Sequence, residues 1–275
     1  MGLRINTNVA SINAQRQLST QQKRSEHALS ALSSGSRIVN ASDDAAGLAI
    51  SENIKAQTRG IRMARQNAYN AQSLIQVSEG GLNEISNILI RIRELGVQAA
   101  SDNVSDVERD FLNQEVVQLV EEADRIAKTT KFGNKALLDG SGEELEFHVG
   151  PFAGDENIIK YQISADAQGD ALGYSGITVE SRDTARDSLA QVDETLTQLG
   201  KLRADFGAVQ SRMGMTVSNL DIQYENLSAA GSRIRDADVA FEASEAASAQ
   251  VLQSAAVGVL AQANSMPQQA LRLLA

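Results

Sequence analysis

The most regular pattern of apolar residues lies in the last forty residues, Asp236 to Ala275. Apolar side chains recur there at alternating spacings of four and three residues, which is typical of a helix that packs against another helix. Large side chains alternate with alanine, so a partner can approach closely but little apolar area is buried in each turn. We therefore predict a polymerisation segment, a helix that is marginal alone and ordered when many copies pack together. Its seam consists of Leu252, Ala256, Val259, Ala263, Met266, Ala270 and Leu273.

A thinner stripe lies at the other end of the chain, between Met1 and about Ile38. Ile5, Val9 and Ile12 are spaced by four and three residues, and a stripe with polar interruptions follows. Two weak stripes at opposite ends of one chain predict that the terminal helices pair with each other. The alternative is a frayed terminal helix.

Two further helices are predicted in the first half of the chain. The first runs from Ala45 to about Ala100 without a proline, and Gly80-Gly81 weakens it without stopping it. Ser105 and Glu108 predict a capping box at the start of the next helix. The apolar seams of these two helices are Ile61, Ala64, Ala68, Ala71, Ile75, Ser78, Leu82, Ile85, Leu89 and Ile92, and then Leu112, Val116, Leu119, Ala123 and Ile126.

Another long helix is predicted from about Arg182, with Asn226 to Asp238 as the link to the C-terminal segment. Only Arg203 and Gln210 interrupt its apolar positions, which again follow steps of three and four. Three long helical stretches with matching seams predict an antiparallel coiled-coil rod. The seam consists of Leu189, Val192, Leu196, Leu199, Phe206, Met213, Val217, Leu220, Tyr224 and Leu227.

Residues Lys131 to Ser181 have a different pattern. Apolar and polar residues alternate in Leu145–Val149 and in Ile159–Ile163, and the turn-rich Gly150–Asp155 connects them, which predicts a β-hairpin. Ile177–Val179 is a candidate third strand. We expect a small subdomain, barely more than one exposed hairpin.

Together these patterns predict a mainly α fold, a long antiparallel helical coiled-coil rod with a small β-hairpin subdomain and paired terminal helices. The predicted domains are an N-terminal helix in residues 1–42, a rod in residues 43–235 and a C-terminal helix in residues 236–275. The β-hairpin region of the rod is residues 131–181.

Composition narrows the range of functions. The 275 residues carry a net charge of −10, 4% aromatic residues and no cysteine. The acidic balance argues against nucleic-acid binding, which needs a basic face, and the few aromatics suit thin helices that neighbours bury. Without cysteine there is no disulfide or thiolate metal site, which mildly favours an extracellular location. The sequence has no stretch that could span a bilayer and no signal-peptide pattern at its start, so we expect any export to proceed without a cleaved signal.

Candidate catalytic groups are few. His27 and His148 are the only histidines, and we interpret both as ordinary surface or packing residues. Asp43-Asp44 directly precedes the helix predicted from Ala45, so a helix cap is the better interpretation than a metal or acid–base pair. There is no phosphate-binding loop, zinc motif or nucleophile elbow. We therefore predict neither an enzyme nor a cofactor.

Several motifs closely resemble those of bacterial flagellin. They occur in the right order and cover both ends and most of the chain between them. Many flagellins carry large variable outer domains where this chain has only Lys131 to Ser181, so the resemblance is to a short form. The motifs are Arg4–Asn8, Leu32–Gly35, Ser42–Ile50, Arg93–Gln98, Asn226–Ala230, Ser232–Asp238 and Pro267–Leu271.

The resemblance implies a structural subunit of the flagellar filament, a helical homopolymer that serves motility outside the cell. Family members are secreted unfolded through the flagellum's own type III channel and add to the filament beneath a cap. The implied partners are further copies of the chain, sister flagellins, an export chaperone, the filament cap and hook-junction proteins. Nucleic-acid binding and membrane insertion are not implied.

The resemblance also implies that the paired terminal helices form the inner tube of the filament and the rod the next layer. We expect the apolar residues of the two terminal stripes to pack together in that tube. These residues are Ile5, Val9, Ile12, Leu252, Val259, Met266 and Leu273.

A second implied contact lies on the rod. Arg91 and Leu95 match the family's Arg-x-Arg-Glu-Leu motif, and Glu115 matches its acidic partner. We expect a subunit contact there and, in free monomers, an epitope for Toll-like receptor 5. An arginine beside an exposed leucine suits an interface anchor; a solvated helix face is the plain alternative.

Two other protein classes compete with a filament subunit. A hook-filament junction protein has similar terminal helices but does not form long filaments. A signalling coiled coil, such as a chemoreceptor rod, would need a transmembrane span or a long hairpin tip, and the sequence has neither.

Overall fold

The computed structural model describes residues 7–142, 144–162 and 165–274, with side chains for 7–142, 144–161 and 165–267. The described part of the chain is mainly helical and has two small antiparallel sheets. Its elements are α1 (Val9–Ser34), α2 (Ala45–Ala99), α3 (Asp106–Thr129), β1 (Lys131–Phe132), β2 (Lys135–Ala136), β3 (Glu144–His148), β4 (Ile158–Gln162), α4 (Gly169–Leu172), α5 (Arg182–Arg235) and α6 (Val239–Leu274).

The chain divides into two compact units. Unit 1 combines residues 1–56 with residues 226–275, and unit 2 is residues 57–225. These bounds differ from the predicted domain bounds of 42/43 and 235/236. The predicted bounds refer to layers of an assembly, and they stay a prediction.

Unit 2 is built on the antiparallel packing of α2 with α5 and with α3. Arg65 pairs with Asp221 at 2.6 Å and Arg93 with Asp193 at 2.7 Å, so residue numbers fall along α5 as they rise along α2. All ten predicted seam residues of α2 are buried, from Ile61 to Ile92. The spacing of three and four keeps one face of a 3.6-residue helix apolar, which is why the seam prediction is confirmed.

The helix starts follow the predicted capping chemistry. Ser105 and Glu108 form a capping box at the start of α3. Asp44 Oδ1 accepts a hydrogen bond from the Gly47 N–H at 2.8 Å at the start of α2, as expected for a cap. Asp43 Oδ2 accepts from the N–H groups of Val39 and Asn40, so both aspartates stabilise this turn.

The predicted hairpin is confirmed, with Leu145 paired to Tyr161 and Phe147 to Ile159. The third strand is wrong: Ile177–Val179 is irregular, because the N–H of Val179 donates to Asn113 Oδ1 at 2.9 Å instead of to a strand. The subdomain is also more than an exposed hairpin. It contributes many buried side chains to the core of unit 2, among them Leu137, Leu138, Leu145, Ile159, Leu172, Tyr174 and Val179.

In unit 1, α1 and α6 pack against each other, which confirms the predicted pairing of the terminal helices. The turn after α1 forms an isolated antiparallel bridge with the chain before α6, where Arg37 N–H donates to Arg235 O at 2.7 Å and Ala237 N–H to Gly35 O at 3.0 Å. The predicted link Asn226–Asp238 is too long. The helix continues to Arg235, so that three residues suffice to reach α6.

Candidate assembly surfaces

On the α6 side, half of the positions that face α1 are alanines. On α6 a series of buried or partly buried positions follows an unbroken spacing of four and three, and Ala249 and Ala263 are only 2% and 6% exposed. Alanine lets two helices approach closely while burying little apolar area. The positions are Glu242, Ala246, Ala249, Gln253, Ala256, Leu260, Ala263 and Pro267.

The predicted α6 seam is therefore only half correct for the single chain. Among its described side chains, the alanines Ala256 and Ala263 face α1, but the large residues lie at the rim of that contact. Leu252, Val259 and Met266 are 48%, 60% and 52% exposed. The chain itself thus leaves about half of each of these three side chains uncovered.

Helix α1 shows the same division. Ala14, Ala28 and Ala31 are buried, whereas Val9 and Ile12 are 54% and 57% exposed. Ile12 lies about 160° around the helix from Ala14, on the side turned away from α6. Of the remaining predicted inner-tube residues, Ile5 and the side chain of Leu273 lie outside the described residues, so that prediction stays a prediction.

Polar contacts join the start of α1 to the C-terminal part of α6. Asn8 Nδ2 donates to the backbone oxygen of Ala263 at 2.8 Å, and Ser11 Oγ donates to Asn264 Oδ1 at 2.8 Å. The apolar pattern of the two helices does not predict this contact. The available signal was Pro267, which lies inside α6 and leaves one helical carbonyl without its usual donor.

An open groove of about 580 Å³ lies between the C-terminal half of α1 and the first turns of α6. Lys23, Arg24 and His27 line one wall and Glu242 and Glu245 the other. His27, predicted as an ordinary surface or packing residue, is 41% exposed at its side chain, and its Nε2 lies 3.3 Å from Asp43 Oδ2.

Asp43 behaves as a structural carboxylate beside that groove. The N–H group of Asn40 is the main cause that lowers the pKa of Asp43, and His27 lowers it further. Its hydrogen bonds hold the turn before α2, so it is committed to structure and not to acid–base work.

The predicted contact on the rod is an exposed ion-pair cluster. Arg91 donates from Nη2 to Glu115 Oε1 at 2.8 Å and from Nη1 to Glu94 Oε2 at 3.2 Å. Glu115 is the main cause that raises the pKa of Arg91. Half of the Arg91 side chain is exposed, so the pairs are worth little for stability and stay accessible to a partner.

The expectation of an exposed leucine beside Arg91 is wrong. Leu95 is 1% exposed and belongs to the core of unit 2. It follows the buried Ile92 by three residues and precedes the buried Ala99 by four, so it continues the inward seam of α2. At this surface only Arg91 and Glu115 of the three predicted residues offer polar atoms to solvent.

The described residues contain no cluster of three or more His, Cys, Asp or Glu side chains that could hold a metal ion. Among the helices described, none is long and apolar enough to cross a membrane.

Comparison with known protein families gives the assignment. The bacterial flagellin N-terminal helical region matches residues 5–143, and the bacterial flagellin C-terminal helical region matches residues 189–274. The chain belongs to the bacterial flagellins. Flagellins are structural subunits of the bacterial flagellar filament and not enzymes, and this chain is one of them.

Curated relatives match this flagellin over nearly its whole length. A flagellin of Halalkalibacterium halodurans is 41% identical and covers 98% of this chain and 99% of its own. The flagellar filament core protein flaB2 of Brachyspira hyodysenteriae is 40% identical with the same coverage. The flagellin of Bacillus subtilis is 38% identical over 99% of this chain and 100% of its own.

Solved structures show the same fold. The crystal structure of Bacillus cereus flagellin is 28% identical, with a TM-score of 0.51 over 60% of this chain and 94% of that one. A putative flagellar hook-associated protein from Vibrio parahaemolyticus has a TM-score of 0.59 over 70% of this chain and 100% of that one. At 13% identity that likeness concerns the fold alone. The curated relatives are flagellins and filament proteins, so nothing favours the junction-protein alternative.

Proposed function

We propose that this flagellin builds the inner layer of a filament with α1 and α6, whose uncovered apolar side chains are buried by neighbouring copies. The observation that carries the proposal is the surface of α6. Besides Leu252 and Val259, the residues Val251 and Val257 are 68% and 52% exposed, and they lie on other sides of the helix.

A helix that is apolar on most of its circumference is normally enclosed by other protein. Helix α1 covers only one side of α6. In a homopolymer, further copies of the chain cover the other sides. Each large side chain that becomes buried contributes about 1.5–3 kcal/mol. Because the contact repeats in every subunit, a modest apolar stripe suffices for a long polymer.

The rod supports a second, polar contact between subunits at Arg91 and Glu115. The guanidinium already has two carboxylate neighbours in the single chain, so a partner would meet an ordered, oriented donor. The same cluster is the part of the predicted Toll-like receptor 5 epitope that is accessible; Leu95 would act there only by supporting α2.

The remaining partners follow the pattern of the family. Export through the flagellar type III channel places the chain in the extracellular filament, with the cap and hook-junction proteins at the filament ends and sister flagellins beside it. An export chaperone would cover the exposed apolar side chains of α6 before assembly, because such side chains promote aggregation.

The test replaces an exposed apolar residue of α6 by a charge. Val259→Asp should abolish long filaments in electron micrographs after seeding with short filament fragments, because an unpaired buried charge is costly. Circular dichroism and thermal unfolding of the monomer should stay unchanged, since Val259 is 60% exposed in the single chain.

The matched control is Ser254→Asp, the same charge five residues earlier and about 140° around the helix. It should polymerise better than Val259→Asp. Long filaments from Val259→Asp would contradict the proposed role of this stripe.

A further inference from the structure

Phe111 on α3 is the most exposed aromatic side chain described in unit 2, at 64% exposure. It lies one turn before Glu115 and about 40° from it around the helix, so it shares the surface of the Arg91–Glu115 ion pair. Val107, one turn earlier again, is 63% exposed. Phe111 therefore supplies the exposed apolar group beside Arg91 that the buried Leu95 does not. An exposed aromatic side chain beside an arginine is typical of an interface hot spot.

The carboxylates of this surface are incompletely paired. Arg91 is shared between Glu115 and Glu94, so the cluster has one more carboxylate than it has cations. Both hydrogen bonds from Arg91 to Glu115 end on Oε1, at 3.0 and 2.8 Å. Among the described residues none donates to Glu115 Oε2, which is left as an acceptor for a partner. We call Val107, Phe111 and Glu115 the Phe111 ridge.

An open groove of about 440 Å³ lies elsewhere on unit 2, between the β3–β4 hairpin and α5. The buried apolar side chains of Val149, Ile159 and Leu220 form part of its lining. Met215 lies at its edge and is 72% exposed. Methionine adapts its shape to a partner, and a groove of this volume has room for a group larger than one side chain. We call this site the Met215 groove.

The Met215 groove also contains a cation without a partner. Arg212 lines it, and in the described part of the chain no carboxylate lies within 4 Å of its guanidinium. Glu156, on the hairpin side of the groove, accepts a hydrogen bond from Asn157 Nδ2 at 3.2 Å. An apolar floor beside an unpaired cation is the complement of an exposed phenylalanine beside a carboxylate with a free oxygen.

The ridge and the groove are well separated on the same chain. Glu115 pairs with Arg91 of α2, whereas Pro151 of the groove lies against Gly60 of α2, at 3.2 Å from where a Cβ would be. These two points on α2 are about 30 residues and so about 45 Å apart. One copy can therefore use both surfaces at once, with a different neighbour at each. Such a head-to-tail contact repeats from copy to copy and yields an open polymer if it does not close into a ring.

We propose that Phe111 of one copy inserts into the Met215 groove of the next copy, where Glu115 pairs with Arg212. The occupant is a second copy of this chain, because every chain carries both the ridge and the groove and their unpaired charges have opposite signs. This inference rests on the proposed function, and it names what the rod contact at Arg91 and Glu115 meets in the neighbouring copy.

The first test is cross-linking between copies, which is possible because the chain has no cysteine of its own. Gln114→Cys lies about 60° from Phe111 on α3, and Asn219→Cys lies in the groove. The two variants are mixed, assembled on filament seeds and treated with a short bismaleimide, which joins two thiols. We expect cross-linked dimers from the mixture and only monomers from either variant alone.

The matched control is Asp110→Cys, which neighbours Phe111 in sequence but lies about 100° away around the helix. Mixed with Asn219→Cys it should give far less dimer than Gln114→Cys does. Filaments of the first mixture without dimers, or equal dimer yields from both mixtures, would overturn the inference. If the parent chain did not polymerise on seeds at all, the proposed function would fail instead.

The second test is a double-mutant cycle on the critical concentration for seeded polymerisation. Phe111→Ala and Met215→Ala should each raise it about tenfold. Since the two side chains share one contact, the double variant should stay near tenfold instead of reaching about a hundredfold. Met63→Ala, at a methionine that is 60% exposed and does not line the groove, should stay near the parent. Single variants that match the parent, or effects that multiply in the double variant, would contradict the contact.

Discussion

Alanine substitutions at Gly80 and Gly81 should change the free energy of unfolding in different ways, although the two residues are adjacent in α2. A Cβ at Gly80 would meet nothing within 4 Å, whereas a Cβ at Gly81 would lie 2.9 Å from both Leu138 Cδ1 and Thr130 Oγ1. The helix passes both glycines without a break, as predicted. Comparing the two variants therefore separates the effect of helix propensity from the effect of packing.

The magnitudes follow from the two environments. Gly80→Ala should stabilise the chain by about 0.5–1 kcal/mol through helix propensity and the smaller entropy of the unfolded chain. Gly81→Ala gains the same amount but overpacks a tight contact, which costs about 1–3 kcal/mol. Neither neighbour can move easily: Leu138 is fully buried, and Thr130 Oγ1 is bonded to Ile126 O at 2.7 Å. The propensity gain cancels between the variants, so they should differ by the overpacking cost.

The assay is guanidinium unfolding of monomeric protein followed by circular dichroism. Both sites lie in unit 2, so the comparison is like for like. Gly80→Ala should raise the midpoint of unfolding. The free energy of unfolding of Gly81→Ala should be about 1–3 kcal/mol lower than that of Gly80→Ala. Equal midpoints would mean that the subdomain yields around Gly81 and that its close approach to α2 is not a constraint.

Two further predictions concern unit 2. Arg109 is 7% exposed and donates from Nε to Ala99 O at 2.9 Å and from Nη2 to Ser101 O at 3.0 Å. Arg109→Met leaves these carbonyls at the end of α2 without a donor, so it should lower the free energy of unfolding by about 2–3 kcal/mol in the same assay. Burial, with a smaller effect of Asp205, raises the pKa of Tyr161 to about 12. An unfolded tyrosine ionises near pH 10, so the unfolded state binds fewer protons between about pH 10 and 12 and stability falls there as pH rises. Tyr161→Phe should reduce that loss of stability when unfolding is measured across this pH range.

Each of these has an internal control. For Arg109, the control is Asp106→Ala, which removes an ion-pair partner that is itself 92% exposed. It should lower the free energy of unfolding by no more than about 1 kcal/mol. If Asp106→Ala and Arg109→Met cost the same, the hydrogen bonds of Arg109 to the end of α2 would not be what stabilises the chain. Tyr161 packs on Phe206 with ring centroids 5.7 Å apart, a contact that phenylalanine keeps. If Tyr161→Phe had the same pH dependence as the parent, ionisation of this phenol would not be the cause.

Much of unit 2 could be predicted from sequence because its helices carry dense seams. Ile75, Leu82, Ile85 and Leu89 leave only one face of α2 to bury, and the structure buries that face. The irregular part of unit 2 could not be predicted in this way. Tyr174 is completely buried and donates to Ala167 O at 2.8 Å, but nothing in local periodicity indicates a loop that folds back on a core.

The sequence by itself determined the helices, the hairpin, the pairing of the chain ends and the membership in the flagellins, since each depends on local spacing or on motifs. Tertiary structure decided which residues of that pairing face inward. On α6 the apolar positions are so numerous that several faces satisfy the same spacing, and close contact with α1 selects the face with alanines. Leu252, Val259 and Met266 are left exposed as a result. In the filament proposed above, the partner that covers them belongs to another copy of the chain, which no pattern within a single copy specifies.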